Sequence, residues 1–383
     1  MIKYIGSKRR LVPAIASIAA AVETHRALDL FTGTTRVAQA LKQAGAHVTA
    51  VDSATYSHVL AQAYVATDAA EIDRGALAVL LAGLQETAPV PGYVTRVFCE
   101  QARYFHPDNG ARIDAIRDAI EAYSGAALYP ILLTSLLEAA DRVDSTTGLQ
   151  MAYLKRWAPR ALNRLELRLP ELLDGPGAAV LGDALEAVRA PIGPVDFAYL
   201  DPPYNQHRYF SNYHVWETLV RWDEPEYYGV ACKRVDCREP STHSPFNRRS
   251  SMASALAAVI GTVEAELMAV SYNDEAWLSL EDLVAMCAPR GQIGVLAFDS
   301  RRYVGAQIGI HNPSGVKVGE VSHLRNTELI VLSGAPDLVA QAMAAGASAS
   351  AAAASASASA ASASAVGAPT PATTAATVPA GVT

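Results

Sequence analysis

ALDLFTGTTRVAQALKQAGAHVTAVD, residues 27–52, begins and ends on short β-type runs and carries a helical pattern between them. The runs are ALDLFT at 27–32 and HVTAVD at 47–52. Between them Val37 and Leu41 share one helical face, and Gly45 supplies a left-handed end for that helix. This is a β–α–β unit of the expected size. In its first turn, Asp29-Leu30-Phe31-Thr32-Gly33-Thr34-Thr35, Gly33 lets a ligand approach the backbone, and the following helix N-terminus offers free N–H groups.

Asp52 closes the second run, 19 residues beyond Gly33, where an acid can take the two hydroxyls of a ribose. Such a turn serves a dinucleotide or S-adenosylmethionine (AdoMet); it is equally a tight βα turn with a capping acid. A dinucleotide fingerprint needs GxGxxG, and the single glycine here disfavours NAD. No GxxxxGK[ST] occurs, so KYIGSK at 3–8 is not a phosphate loop.

Outward from this unit, strand-like runs recur at 195–200, 267–272, 292–298 and 327–332. From Ala69 to about Pro176 the pattern is helical: Ile113, Ile116, Ile120 and Tyr123 line one stripe, and 130–140 is a largely apolar helix. A helical block inserted into an α/β sheet is the simplest arrangement, with residues 1–68 and 177–335 as the sheet domain and 69–176 as the insertion. Residues 336–383 form an Ala/Ser-rich segment with no charge after Asp337; a short helix near 336–345 is expected, and disorder beyond it.

Of the 383 residues 51% are hydrophobic, ample for a core, and the formal charge of −7 confines nucleic-acid binding to local patches. Four scattered cysteines read as free intracellular thiols, not a disulfide framework or a zinc site. KRRLVPAIASIAAAV superficially resembles a signal peptide, but Leu11, Ile15, Ile18 and Val22 recur at helical spacing. An amphipathic helix of the folded domain, no membrane span and a cytoplasmic location are expected.

The specific element is AYLDPPYNQHRY, 198–209. Two successive prolines cannot continue a sheet ladder, so the strand stops at Leu200 and Asp201 stands at the carboxyl edge of the sheet. The rigid turn lets the Asp201 carboxylate and the Pro202 carbonyl face one amino group, with the Tyr204 ring stacked on a planar base. Acceptors placed in advance on an amine's hydrogens aim its lone pair at an electrophile. The bland alternative is a rigid loop with a capping Asp.

KYIGSK, DLFTGTT, Asp52, GD at 182–183, YLDPPY and SYND at 271–274, in this order, resemble the DNA adenine-N6 methyltransferases, and more narrowly their D12 class. The resemblance runs from Lys3 to about Leu332. It implies an α/β, Rossmann-like AdoMet-dependent methyltransferase sheet with helices on both faces. It also implies a target-recognition region in the helical insertion, double-stranded DNA as substrate and S-adenosyl-L-methionine as cofactor, without a metal. By position it places Tyr4 and Lys8 at the methionine end of AdoMet, Phe31 and Gly33 in the cofactor turn and Asp52 on the ribose. Asp183 then falls on the cofactor adenine, and Asp201, Pro202 and Tyr204 on the target adenine, with Asp201 also bordering the cofactor. Thr35 stands where the family's FxGxG form often has a second glycine. A monomer is expected, with a restriction endonuclease as a candidate partner. The alternatives are an RNA base amino-methyltransferase using the same DPPY chemistry, or a non-catalytic DNA-binding protein on this fold.

Two stretches are locally basic. YLKRWAPRALNRLELR, 153–168, carries Lys155, Arg156 and Arg160, which read either as phosphate contacts or as a solvated helix face, with Pro159 against a regular helix. From Cys232 to Arg249, Lys233 and Arg234 head a second basic run, with His243 and Phe246 nearby. After DPPY, Asn205, His207, Tyr209, Asn212 and His214 are read as lining a pocket for a flipped base, Asn205 and His207 as DNA contacts. Ser271, Tyr272 and Asn273 are read as helping to close it.

Overall fold

The computed structural model describes residues 2–4, 6, 8–189, 192–203, 206, 208–301, 310–311, 317–319 and 325–365. Seven strands form its central sheet: β1 (Arg26–Leu30), β2 (His47–Asp52), β3 (Gly177–Leu181), β4 (Val195–Leu200), β5 (Ala265–Asn273), β6 (Gln292–Arg301) and β7 (Arg325–Gly334). Their spatial order is β3-β2-β1-β4-β5-β7-β6, and only β7 runs antiparallel to its neighbours. The chain reverses direction of growth between β1 and β4, which places a crevice outside the carboxyl ends of those two strands.

Helices are α1 (Val12–Ala21), α2 (Arg36–Gln43), α3 (Thr55–Ala61), α4 (Arg74–Gln85), α5 (Pro107–Glu121), α6 (Tyr129–Arg142), α7 (Ala184–Ala187), α8 (Tyr209–Asn212), α9 (His214–Arg221), α10 (Arg249–Thr262), α11 (Leu280–Cys287) and α12 (Pro336–Ala365). Side chains alternate across the buried strands. Leu28, Leu30, Ala198 and Leu200 join a core with α10 and α11, whereas Ala27, Val48, Phe197 and Tyr199 join the opposite core with α1, α2 and α6. The expected helices on both faces follow from that alternation. Leu11, Ile15 and Ile18 are buried as the helical reading of the N-terminus requires.

Residues 69–176 carry no strand and sit between β2 and β3. Leu133 and Leu137 of α6 belong to the same apolar cluster as Phe197 and Tyr199 of β4, and α6 packs on α3, which in turn lies on β2 and β3.

Two features differ from the expectations. Strand β3 reads GAAVL, too poor in β-branched residues to stand out, and a Cβ on Gly177 would lie 2.5 Å from the Val65 carbonyl oxygen. The strand exists because a glycine there lets two backbones touch. The second feature is α12, helical to Ala365 where disorder was expected from 346 onward. Val339 and Ala342 are buried against α1 and β6, and alanine's helix propensity carries the helix past that anchor. Residues 366–383, the rest of the expected disordered tail, lie outside the described residues.

No helix among the described residues is long and apolar enough to cross a membrane. The four cysteines are free and buried.

Candidate active site

The turn after β1 is wound tightly. Phe31, Gly33 and Thr35 have φ of +65°, +54° and +61°. Thr35 thus takes the left-handed conformation at the position where a glycine would be unstrained. It is fully buried, and its hydroxyl donates to the Thr34 carbonyl at 2.7 Å and accepts from Gln39 Nε2 at 2.7 Å. Those bonds offset the backbone cost, which explains how the departure from FxGxG is accommodated without a different path. At Gly33 the space is closed: a Cβ would lie 3.0 Å from Tyr4 Cε1. Gly33→Ala should therefore cost about 1–2 kcal/mol in the backbone alone and press on the Tyr4 ring. Urea unfolding measures the first effect and AdoMet titration the second.

Asp52 ends β2 and holds this turn. Its Oδ2 accepts the Gly33 N–H at 2.8 Å and its Oδ1 the Ala54 N–H at 2.9 Å. Burial raises the carboxyl's pKa while those N–H donors oppose the rise. The Ser57 side chain and the Ser53 backbone oppose it as well. Asp29, one strand position before Leu30, is buried, accepting from the Thr32 hydroxyl at 2.7 Å and the Ala38 N–H at 3.1 Å.

Across the reversal, β4 delivers Asp201, whose N–H donates to the Leu30 carbonyl of β1 at 3.4 Å. Its Oδ1 lies 2.9 Å from Lys8 Nζ, and the same ammonium is 3.8 Å from Glu328 Oε2 on β7. Among the described residues Oδ2 of Asp201 has no partner. Burial raises the Asp201 pKa, and Lys8 works against that rise by charge and hydrogen bond.

One cleft is lined by Tyr4, Lys8, Phe31, Gly33 and Asp201, together with Asp29, Thr32, Thr34, Arg36 and Tyr199. Tyr4 is fixed by stacking on Tyr209 at 5.3 Å and Tyr213 at 4.7 Å between ring centroids. The N-terminal segment is tied down through Lys3, which pairs with Asp141 at 2.9 Å and Asp144 at 3.2 Å on the insertion.

Of the expected cofactor residues Tyr4, Lys8, Phe31, Gly33 and Asp201 line this one cleft, whereas Asp52 does not line it and holds the turn through the Gly33 N–H. The finer expectation for Lys8 shifts, because its ammonium rests on Asp201. Pro202 is buried directly behind Asp201. Asp183 is half-buried at the end of β3 and caps α7 by accepting the Leu185 N–H at 2.8 Å; it does not line the cleft. Tyr204, Asn205 and His207 lie outside the described residues. Asp29 was quoted without a role and Glu328 was not singled out; the only sequence signal for Glu328 is an acid inside the apolar run TELIVL.

Several DNA-contact expectations change. Residues 153–168 form no α-helix, only a 3₁₀ turn at Pro159–Leu162, so Arg156 and Arg160 share no helical face. Lys155 and Arg156 are exposed. Arg160 is held by Asp144, its Nη2 2.7 Å from Oδ1. Arg234 is 1% exposed and its guanidinium is occupied by Asp223 at 2.6 Å and Asp236 at 2.8 Å, which leaves it no face for a phosphate. Lys233 is half-buried, its Nζ 3.1 Å from Met151 Sδ, two residues before the first basic stretch.

His214 and Asn212 are core residues, not pocket walls. His214 is fully buried, its Nε2 3.0 Å from the Gln150 carbonyl, and burial pushes its pKa down to about 3. Ser271, Tyr272 and Asn273 are likewise buried; the Tyr272 hydroxyl accepts the Leu278 N–H at 3.2 Å.

The residues fit AdoMet. A cationic sulfonium suits a cleft lined by the carboxyl groups of Asp29 and Asp201 beside Lys8 and Arg36, with Lys8 already paired to Asp201 and 3.8 Å from Glu328. Gly33 lines that cleft, and buried Arg36 Nε has no hydrogen-bond partner among the described residues. Burial raises the Asp29 carboxyl from 3.8 to about 7. The folded state therefore holds a proton that the unfolded chain has released, and Asp29 makes stability fall as pH rises from about 4 to about 7. Asp29→Asn should flatten that slope in unfolding measured across the same window.

The sheet is that of a Rossmann-like AdoMet-dependent methyltransferase, and its reversal, where ligands of such sheets bind, sets the β1 turn against the Asp201 carboxylate. Within that class the chain belongs to the D12 class N6 adenine-specific DNA methyltransferases, whose family model matches residues 4–286. It is 28% identical over 337 residues to Type II methyltransferase M.NlaIII of Neisseria lactamica, covering 84% of this chain and 98% of that one. It is 31% identical over 303 residues to Modification methylase StsI of Streptococcus sanguinis, covering 73% and 45%. With Type II methyltransferase M.FokI of Planomicrobium okeanokoites the identity is 28% over 318 residues, covering 76% and 47%. The chain thus spans nearly all of the first relative and a little under half of the other two. It is a site-specific DNA adenine-N6 methyltransferase that uses AdoMet.

Proposed function

We propose that Asp201 Oδ2 and the Pro202 carbonyl accept the two amino hydrogens of an adenine flipped out of the duplex, and that Tyr204 stacks on its ring. The observation that carries this reading is the Asp201 carboxylate: one oxygen is held by Lys8 at 2.9 Å, and the residue shares a cleft with the β1 turn. An exocyclic amine is a poor nucleophile because its lone pair is delocalised into the ring. Two fixed acceptors favour a pyramidal nitrogen with that pair aimed out of the plane. AdoMet, when bound, supplies an electrophilic methyl group on a positively charged sulfur.

Lys8 keeps Asp201 ionised, so that it accepts and does not donate. Phe31, Gly33 and Tyr4 shape the cofactor side, Asp52 takes the ribose hydroxyls, and Asp183 at the end of β3 borders the cofactor adenine. Residues 69–176 read the target sequence, with exposed Lys155 and Arg156, and Lys233, on the DNA backbone. Arg160 and Arg234 are left out because carboxylates already hold them. The protein acts as a cytoplasmic monomer and protects DNA against a restriction endonuclease of the same specificity. The relatives' names, modification methylase and type II methyltransferase, support that last point.

The test is expression in a host without DNA methylation, followed by single-molecule sequencing that detects modified bases. N6-methyladenine confined to one sequence context is the expected result. Unmodified DNA, with tritiated methyl appearing only in RNA, would establish the RNA-base alternative instead.

A further inference from the structure

Arg208 and Arg248 meet on His243 beside the start of α10, and Arg249 is the first residue of that helix. Arg208 Nη1 lies 2.8 Å from His243 Nε2, and Arg248 Nη2 lies 3.1 Å from His243 Nδ1. A neutral imidazole has a single acceptor nitrogen, so it satisfies only one of the two guanidiniums. Arg248 is the cap residue of α10 and Arg249 its first residue, at the positive end of the helix dipole. No acidic side chain occupies that first turn and no side chain caps it. All three arginines are exposed, and among the described residues none forms an ion pair.

Like charges converging on a positive helix end repel one another; an anion between them turns each of those repulsions into attraction. The cluster sits close to the chemistry. Phe246, three residues after His243, packs edge-on against Phe31 of the cofactor turn at 4.8 Å, and Arg208 follows Asp201 by seven residues. Guanidinium forks and free helix N–H groups both match phosphate oxygens.

We propose that Arg208, Arg248 and Arg249, with His243 between them, hold a backbone phosphate of the DNA strand whose adenine enters the cleft. A base leaves the stack by rotating about its own backbone, so a phosphate beside the cleft mouth must be held while the base is inside. Arg208 and Arg248 approach that phosphate from two sides, and His243 keeps their guanidiniums apart and oriented. The proposal rests on the reading of the cleft as the site of the flipped adenine.

The test measures binding of the full chain to the plasmid DNA that it methylates, at 50 to 200 mM salt, with AdoMet affinity measured in parallel. Arg208→Gln and Arg248→Gln should each weaken DNA binding roughly tenfold and reduce the slope of log K against log salt by about 1. AdoMet affinity should be unchanged, and Arg208→Lys should restore the slope. Slopes equal to that of the unsubstituted protein would overturn the proposal. So would a parallel loss of AdoMet affinity, which would mean that the substitutions act through the Phe246–Phe31 contact. The slope needs no turnover, so a failure of DNA methylation by the unsubstituted protein would count against the flipped-adenine reading separately.

Discussion

Asp201→Asn should lower the single-turnover rate of methyl transfer to DNA by roughly 10²–10³, the usual loss when a preorganised polar group leaves a transition state. Asparagine keeps the shape but can turn an N–H donor toward an amine that is itself a donor. It also removes the nearer carboxylate from the Lys8 ammonium, 2.9 Å away, and leaves it the more distant Glu328 at 3.8 Å. In the proposed function AdoMet rests mainly on the turn after β1 and on Asp52, so its affinity should stay within about tenfold of the unsubstituted value. Tritiated-methyl transfer to plasmid DNA gives the rate, and calorimetry the affinity. A rate within a few-fold of normal would place the amine's acceptor elsewhere.

Lys8→Met should destabilise the protein by about 3–5 kcal/mol, because breaking a buried ion pair leaves an uncompensated charge. Lys8 is 7% exposed, and burial already raises the carboxyls of Asp201 and Glu328, with Lys8 opposing the rise in both. Without the ammonium both carboxyls move further up. Asp201 then ionises only at higher pH, so the acid limb of the pH–rate profile shifts to higher pH. Lys8→Arg keeps the charge and should keep the limb. Urea unfolding and the profile of methyl transfer read the two effects separately. An acid limb that does not move in Lys8→Met would show that Lys8 has no hold on Asp201.

Much of the fold was readable because its signals are local. The alternation in ALDLFT and HVTAVD, the helical stripe of Val37 and Leu41, and the block of DPPY each depend on neighbours within a few residues. The strand at 177–181 was not readable: Gly177 and its alanines have no strand preference and are strand only because β2 lies beside them. The charges behaved likewise. Arg234 looked like a phosphate ligand next to Lys233, but its environment is Asp223 and Asp236, brought around it by the fold.

Sequence order was enough to settle the class of chemistry. DPPY after a strand, a glycine turn after another and an acid 19 residues on are motifs whose meaning lies in covalent spacing and backbone restraint. Which charges face one another was settled only in three dimensions. Lys8, Asp201 and Glu328 span almost the whole chain and meet because β4 and β7 carry the two acids to one edge of the sheet, where the segment before α1 brings Lys8. An ionisable side chain takes its role from the field and burial around it, and distant segments create both. That is why the same inspection that found Asp201 and Lys8 in separate motifs could not pair them.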